Sequence, residues 1–335
     1  MKIYKDFEEV IEERDLTRPL VVTVGFFDGV HLGHRKLIDE LKQIANQIKG
    51  DSLVITFDEH PTKVLHPDRP APLVLSSARN KLRLLAYAGV EKVLMLHFTP
   101  ELAATEARDF LSPLLERGEL KAIVMGYDNA FGHRRSDMSI SDYDDYITSW
   151  GVDLYRVSPY WVGREIVSSS AIRHHISDCN FPAAERLLGR PYSFLGTVGH
   201  GMQVGRTINY PTANISPLEP DIYLPAIGVY IAEVRLDEAV YPAMAYYGRR
   251  PTLAKGEPAR LEAYLLDYRG DLYGREVEVG FKAFLRGDKR FDTLDDLADQ
   301  IHKDERMTRD YFSQYSLTLP TDPEHVLDQA EETDA

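Results

Sequence analysis

The sequence predicts an α/β domain built on a doubly wound parallel sheet, followed by a small closed β-barrel that carries a C-terminal helix. Two patterns carry that prediction. Short apolar runs alternate with helix-length segments through Met125, and beyond Pro191 the chain turns to alternating and β-branched strands between Gly, Pro and Asp turns. Leu20–Val24, Leu53–Phe57, Val93–Leu96 and Ala122–Met125 read as buried parallel strands. Between the first two, Leu37, Leu41, Ile44 and Ile48 recur at helical spacing, and Lys81–Ala88 is a second helix ending before Gly89. The order β-α-β-α places the ligand crevice at the carboxyl ends of the strands, where Val21–His34, VVTVGFFDGVHLGH, is found. Across Arg156–Arg190 the pattern changes, with SSSAIRHHI, a helical piece at Ala183–Leu188 and then Gly189-Arg190-Pro191, so domains of 1–185 and 186–318 are expected. Phe194–Val198, Val229–Leu236, Val240–Tyr247, Arg260–Leu266 and Glu276–Phe284 are the barrel strands. Leu294–Tyr311 is a capping helix behind an Asp292-Thr293 N-cap, and residues 319–335 form an acidic tail expected to be disordered.

Composition narrows the function. The chain has 335 residues, a formal net charge of −14 and a pI near 5.3, which argues against binding a nucleic-acid backbone, since that affinity rests on clustered Lys and Arg. The one cysteine, Cys179, rules out an internal disulfide and reads as a small apolar residue in a reducing cytosol. The opening MKIYKDFEEV has no apolar h-region, and no apolar run is long enough to span a bilayer, so a cytoplasmic protein without membrane partners is expected.

Four stretches of the first domain fall after strands or before helices. In the opening stretch a strand stops, Gly25, Phe27, Asp28 and Gly29 form a tight turn, and His31 and His34 open a helix, where backbone N–H groups and the helix dipole favour an anion. The turn matches neither G-x-G-x-x-G nor Walker A. The two histidines could instead be surface residues or metal ligands, but Asp28 is the sole nearby acid and the further ligands zinc needs are not evident, so phosphate binding is the favoured reading. Thr56–Pro61, TFDEHP, follows the second strand, and Met125–Arg135, with Asp128 and Phe131, follows the fourth. Val167–Arg173 puts Ser169, Ser170 and Arg173 just before a helix, a combination of hydroxyls and a guanidinium fork that suits phosphate, though serines alone make an ordinary N-cap. In the second domain Gly205–Asn214, GRTINYPTAN, offers Thr212 and Asn214 as hard oxygen ligands of the kind Mg²⁺ accepts, or simply a Pro-initiated turn. By alternation Leu261, Ala263 and Leu265 share one strand face, while Glu262, Tyr264 and Leu266 share the other. Glu262 is then either a solvent-facing residue or a general base for an alcohol.

In this order the motifs resemble those of the bifunctional riboflavin kinase/FMN adenylyltransferase family. GFFDGVHLGH is similar to its G-x-F-D-G-x-H-x-G-H, TFDEHP to T-F-D-P-H-P, GYDNAFG to G-x-[DN]-F-x-F-G, SSSAIR to S-S-T-x-I-R, and GRTINYPTAN to G-R-x-x-G-[FY]-P-T-A-N. YGRRPTL, LEAYLLDYRGDLYG and QIHKD complete the series. The resemblance implies a Rossmann-like HxGH nucleotidyltransferase domain that converts FMN and ATP to FAD and pyrophosphate. It also implies a barrel kinase that phosphorylates riboflavin to FMN. Glu262 would be the kinase base, with Thr212 and Asn214 holding ATP-bound Mg²⁺ and Gly205 and Arg206 contacting nucleotide. His31 and His34 would neutralise charge on the α-phosphoryl, with Gly25, Phe27, Asp28, Ser169, Ser170 and Arg173 at the nucleotide and Asp128 touching flavin or ATP. The partners implied are riboflavin, FMN, FAD and ATP, flavins being substrate and product rather than fixed cofactor, with room for a weak or transient homo-oligomer.

Glu59 departs from the family proline, Asn129 and Ala130 from an aromatic and its neighbour, Ser170 from threonine and Asn209 from glycine. The Asn129-Ala130 change motivates an alternative, a riboflavin kinase whose first domain is a flavin- or nucleotide-binding regulatory module.

Overall fold

The computed structural model describes residues 1–13, 17–66, 68, 70, 72–117, 119–133, 138–200, 210–248 and 259–319. The chain separates into two compact units, Met1–Val167 and one that begins at Ser168. Each is described by itself.

The first unit runs β1 (Lys2–Tyr4), α1 (Phe7–Glu13), β2 (Leu20–Val24), α2 (Leu32–Gln47), β3 (Asp51–Phe57), α3 (Thr62–Leu65), α4 (Ala78–Tyr87), β4 (Lys92–Leu96), α5 (Pro100–Ala104), α6 (Ala107–Leu115), β5 (Leu120–Gly126), α7 (Ile140–Thr148), β6 (Asp153–Val157) and the hairpin β7 (Trp161–Val162) and β8 (Glu165–Ile166). Its six-stranded sheet has the order β1-β4-β3-β2-β5-β6, with every neighbouring pair parallel. Strand residues alternate between two cores. Val21, Val54, Val93 and Val124 pack with α2 and α4 on one face, while Leu20, Val22, Ile55 and Leu94 pack with α1, α6 and α7 on the other. This is the doubly wound architecture expected. All four predicted strands and both predicted helices are present, although Ile48 lies past the end of α2 and is exposed. The sequence reading missed β1, which is three residues long, and β6, where Val157 alone of its five residues is buried.

The second unit contains α8 (Ser169–Ser177), α9 (Phe181–Leu188), β9 (Tyr192–Gly199), β10 (Ala213–Pro217), β11 (Gly228–Leu236), β12 (Ala239–Gly248), β13 (Arg260–Leu265), β14 (Glu276–Arg286) and α10 (Leu294–Gln314). Its strands close a barrel in the order β10-β13-β12-β11-β14-β9. The Thr293 hydroxyl accepts from the Asp296 N–H and caps α10, as its sequence signal predicts. The boundary expected at 185/186 falls inside α9, and α8 and α9 both pack in this unit. Phe181 of α9 stacks on Phe281 of β14 at 5.5 Å and meets Tyr230 of β11 edge-on at 5.7 Å, and all three are buried.

A buried carboxylate secures the chain beyond α10. Glu233 on β11 is fully buried and accepts the backbone N–H groups of Thr318 (3.0 Å) and Leu319 (2.7 Å). Leu319 packs where a Cβ on Gly280 would come within 3.0 Å of it. Burial pushes the Glu233 carboxyl up from its ordinary range, against the lowering effect of those two N–H groups. The acidic tail falls on residues 319–335, of which 320–335 lie outside the described residues.

Phe181→Ala removes the aromatic contact between α9 and the barrel. It is expected to destabilise the second unit by about 3–5 kcal/mol, read as a lower denaturation midpoint for that unit while the first unit's transition stays in place.

Candidate active sites

In the first unit, β2 is flanked by β3 on one side and β5 on the other, so the direction of winding reverses at β2/β5. The carboxyl ends of these strands form the switch-point crevice. Three residues leave β2 in the left-handed region, Phe27 (φ 55°), Gly29 (φ 75°) and Val30 (φ 38°), the last a β-branched residue where such a backbone is strained. The Phe27 ring folds back over Gly25, where a Cβ would meet it at 3.2 Å. His31 then caps α2: its Nδ1 accepts the His34 N–H at 3.3 Å, which places the proton of a neutral His31 on Nε2. The two imidazoles stack with centroids 3.6 Å apart, and Phe27 meets His34 edge-on at 5.2 Å. A Cβ on Gly33 would come within 3.2 Å of the His31 ring and 3.3 Å of the Val167 carbonyl, so a side chain there would push one of them away.

The turn is braced from below. Asp28 is buried and its Oδ1 accepts the N–H groups of Leu75 (2.7 Å) and Ser76 (3.3 Å), while the Gly29 N–H donates to Ser76 Oγ (3.0 Å). The carboxylate faces inward, toward the segment before α4. Lys81 of α4 is buried; its Nζ donates to the carbonyls of Phe26 (3.1 Å) and Phe57 and lies 4.1 Å over the Phe26 ring. Sequence reading missed this lysine, because one cation inside an amphipathic helix gives no periodic signal; Ser77 caps the helix, its hydroxyl accepting the Asn80 N–H at 3.1 Å.

Across the crevice, Asp128 follows β5, and its neighbour Asn129 donates from Nδ2 to the Val24 carbonyl at 3.0 Å. The departure at 129 thus substitutes a hydrogen bond between the ends of β5 and β2 for an aromatic contact. Arg156 of β6 holds the same loop, donating to the carbonyls of Gly126 (2.7 Å) and Asn129 (2.5 Å) while it pairs with Asp144 of α7 (2.5 Å). Phe131 is buried in the core. Glu59 lies 3.6 Å from Lys63 in a partly exposed ion pair. Ser169, Ser170 and Arg173 lie inside the first turns of α8 rather than ahead of it, with Ser168 as the cap, and α8 belongs to the second unit.

The barrel brings its predicted residues together. The sequence suggested a turn at Pro211–Asn214, whereas Ala213–Pro217 is a strand, β10, paired with both β9 and β13. Asn214 stands opposite Glu262, and Glu262 opposite Tyr246 on β12. Thr212 Oγ1 donates to Glu262 Oε2 at 3.1 Å. Leu261, Ala263 and Leu265 are buried while Glu262 and Tyr264 are not, as alternation predicts; Leu266 is buried, contrary to it, because β13 ends at Leu265 and Asp267 turns the chain with φ 60°. A cavity beside this row is lined by Pro211, Thr212, Tyr264, Tyr268 and Tyr273. Tyr210 donates to Glu305 of α10 at 2.9 Å, and its ring meets Tyr264 edge-on at 5.2 Å. Burial, then Glu305, pushes the Tyr210 hydroxyl up to about 12, and burial with Asp288 and Glu262 does the same for Tyr246, also to about 12. Asp304 of the QIHKD stretch is buried and forks to Arg286 of β14 (2.8 and 3.0 Å), fixing α10 on the barrel. Gly205, Arg206, Asn209 and most of YGRRPTL lie outside the described residues.

The family model for FAD synthetase matches residues 13–171, and that for riboflavin kinase matches residues 188–312. The bifunctional riboflavin kinase/FMN adenylyltransferase of Escherichia coli (strain K12) is 38% identical over 303 residues, covering 90% of this chain and 94% of that one. The protein of the same description from Listeria monocytogenes is 33% identical over 293 residues, with 88% and 92% covered. A crystal structure from Streptococcus pneumoniae, described as a macrolide-efflux protein, is 32% identical and superposes with a TM-score of 0.79 over 94% of this chain and 99% of its own.

Replacing Asp28 by alanine strands the N–H groups of Leu75 and Ser76 in the interior. The first unit is expected to lose about 2–4 kcal/mol, measurable by denaturant unfolding, with the second unit unaffected.

Proposed function

The chain belongs to the bifunctional riboflavin kinase/FMN adenylyltransferase family and has both of its activities, and we propose how its residues divide the two reactions. The second unit carries the kinase. The observation that supports this most directly is the Thr212 hydroxyl bound to Glu262, with Asn214 opposite Glu262 in the ladder. The hydrogen bond from Thr212 fixes one carboxylate oxygen and orients the group as the base that takes the proton of the ribityl 5′-hydroxyl while that oxygen attacks the γ-phosphoryl of ATP. Thr212 lies just before β10 and Asn214 is its second residue, and both meet Glu262, one by its hydroxyl and the other across the ladder, a hard-oxygen set that fits Mg²⁺. Mg²⁺ would supply charge neutralisation on the transferring phosphates. Gly205 and Arg206 are assigned to nucleotide contact by the resemblance alone.

The first unit carries adenylyl transfer. A phosphate oxygen of FMN attacks the α-phosphorus of ATP, the bond to the bridging oxygen breaks, and pyrophosphate leaves. His31 and His34, stacked at the N-terminus of the sixteen-residue α2, face the charge that grows on the α-phosphoryl and its leaving group. Gly25 and Phe27 shape the turn against the nucleotide, and Asp128 meets flavin or ATP from the β5 side; Ser169, Ser170 and Arg173, which stand in α8 of the second unit, are assigned to phosphates by the resemblance alone. Asp28 acts through the turn it braces. The regulatory-module alternative finds no support: Asn129, which motivated it, ties the two halves of the crevice together. Among the described residues no helix is long and apolar enough to cross a membrane, and a cytoplasmic setting suits enzymes whose substrates are riboflavin, FMN and ATP.

Glu262→Gln is expected to abolish FMN formation from riboflavin while FAD formation from supplied FMN continues, both followed by chromatographic separation of the flavins; survival of both reactions would remove Glu262 as the base. Chelating divalent cations with EDTA is expected to stop both reactions, and adding Mg²⁺ in excess to restore them, in the same assay.

A further inference from the structure

We propose that Lys81 and Thr56 are positioning residues for adenylyl transfer, setting the Phe26–Phe27 peptide so that the Phe27 N–H binds a non-bridging oxygen of the α-phosphoryl. The inference rests on the assignment of that reaction to the His31–His34 turn. Lys81 Nζ donates to the Phe26 carbonyl at 3.1 Å, and Thr56 Oγ1 donates to the same oxygen at 3.2 Å. Both lone pairs of that oxygen are thereby used. Lys81 is 1% exposed and Thr56 fully buried, so both donors lie on the interior side of the turn. A trans peptide is planar with its C=O and N–H opposed, and the chain has no cis peptide. Pinning the Phe26 oxygen inward therefore turns the Phe27 N–H outward, at the carboxyl end of β2. Among the described residues this N–H has no acceptor. The second donation from Lys81, to Phe57 at the end of β3, ties the same ammonium to the neighbouring strand, so the peptide cannot rotate without breaking contacts with two elements. The left-handed Phe27 behind it makes that orientation unfavourable for an untethered turn.

A fixed amide donor aimed at one of two prochiral oxygens has a stereochemical signature. Sulfur is the weaker acceptor, so the diastereomer of adenosine 5′-O-(1-thiotriphosphate) that puts sulfur against the Phe27 N–H loses the contact and the other keeps it. The experiment compares FAD formation from FMN with each diastereomer at constant Mg²⁺ in the full-length chain, with riboflavin phosphorylation by the second unit normalising enzyme concentration. Lys81→Met is expected to slow the ATP reaction at least tenfold in kcat with the KM for FMN changed less than threefold, and to change the diastereomer preference by fivefold or more. Thr56→Val, which removes one donor and keeps the shape, is expected to move the preference in the same direction by a smaller factor, and it carries the test alone if Lys81→Met does not fold. A preference unchanged in the folded variants, whether rates fall equally for both diastereomers or not at all, overturns the proposal. His34→Ala is assayed alongside: if FAD formation survives it, the site assignment itself fails, whereas loss in His34→Ala with an unmoved preference in the Lys81 and Thr56 variants refutes only the positioning role.

Discussion

The register of the β10–β13–β12 ladder is the constraint on which the kinase half depends. Asn214, Glu262 and Tyr246 form one row because backbone hydrogen bonds place them opposite one another. A slip of one residue would exchange Glu262 for Leu261 or Ala263, both now buried, and would bury a carboxylate in their place. The site geometry is thus set by the same bonds that close the barrel. Asp304 and Arg286 then fix α10, and Glu305 of that helix holds Tyr210 two residues from Thr212.

The nucleotidyl-transfer half has no such ladder at its centre, because its residues lie beyond the ends of strands. Strand order alone brings the ends of β2 and β5 together, and everything after them must be held by side chains. Asp28, Ser76 and Asn129 hold the turn from different sides, each by bonding backbone that no strand partner satisfies. That bracing offsets the strain of Phe27 and Val30 in left-handed backbone.

What the sequence made legible follows from this division. Runs such as Leu20–Val24 and the alternation at Leu261–Leu265 announce themselves because burial imposes a period, and the ordered motifs identified the family. The strand β10 was hidden because Pro211 and Pro217 bracket it and only Ala213 and Ile215 are buried, too few residues for a pattern. The helical piece at Ala183–Leu188 read only as a domain edge, and Phe181 of that helix packs on Phe281 a hundred residues later, a long-range contact that local periodicity does not encode. Asp28 looked like a ligand because it stands in a phosphate-type turn; its inward hydrogen bonds depend on Leu75 and Ser76, distant in the chain.

The buried Glu233 makes the chain just past α10 part of the barrel. Its carboxylate is solvated by the backbone of Thr318 and Leu319, so those residues act as a built-in substitute for water in the barrel wall. A chain shortened to the end of α10 would leave that carboxylate without these donors and uncover the surface that Leu319 shields at Gly280. For anyone joining another protein or a tag to this enzyme, the junction belongs after Leu319, and a linker placed closer to the helix would compete with the enzyme's own wall.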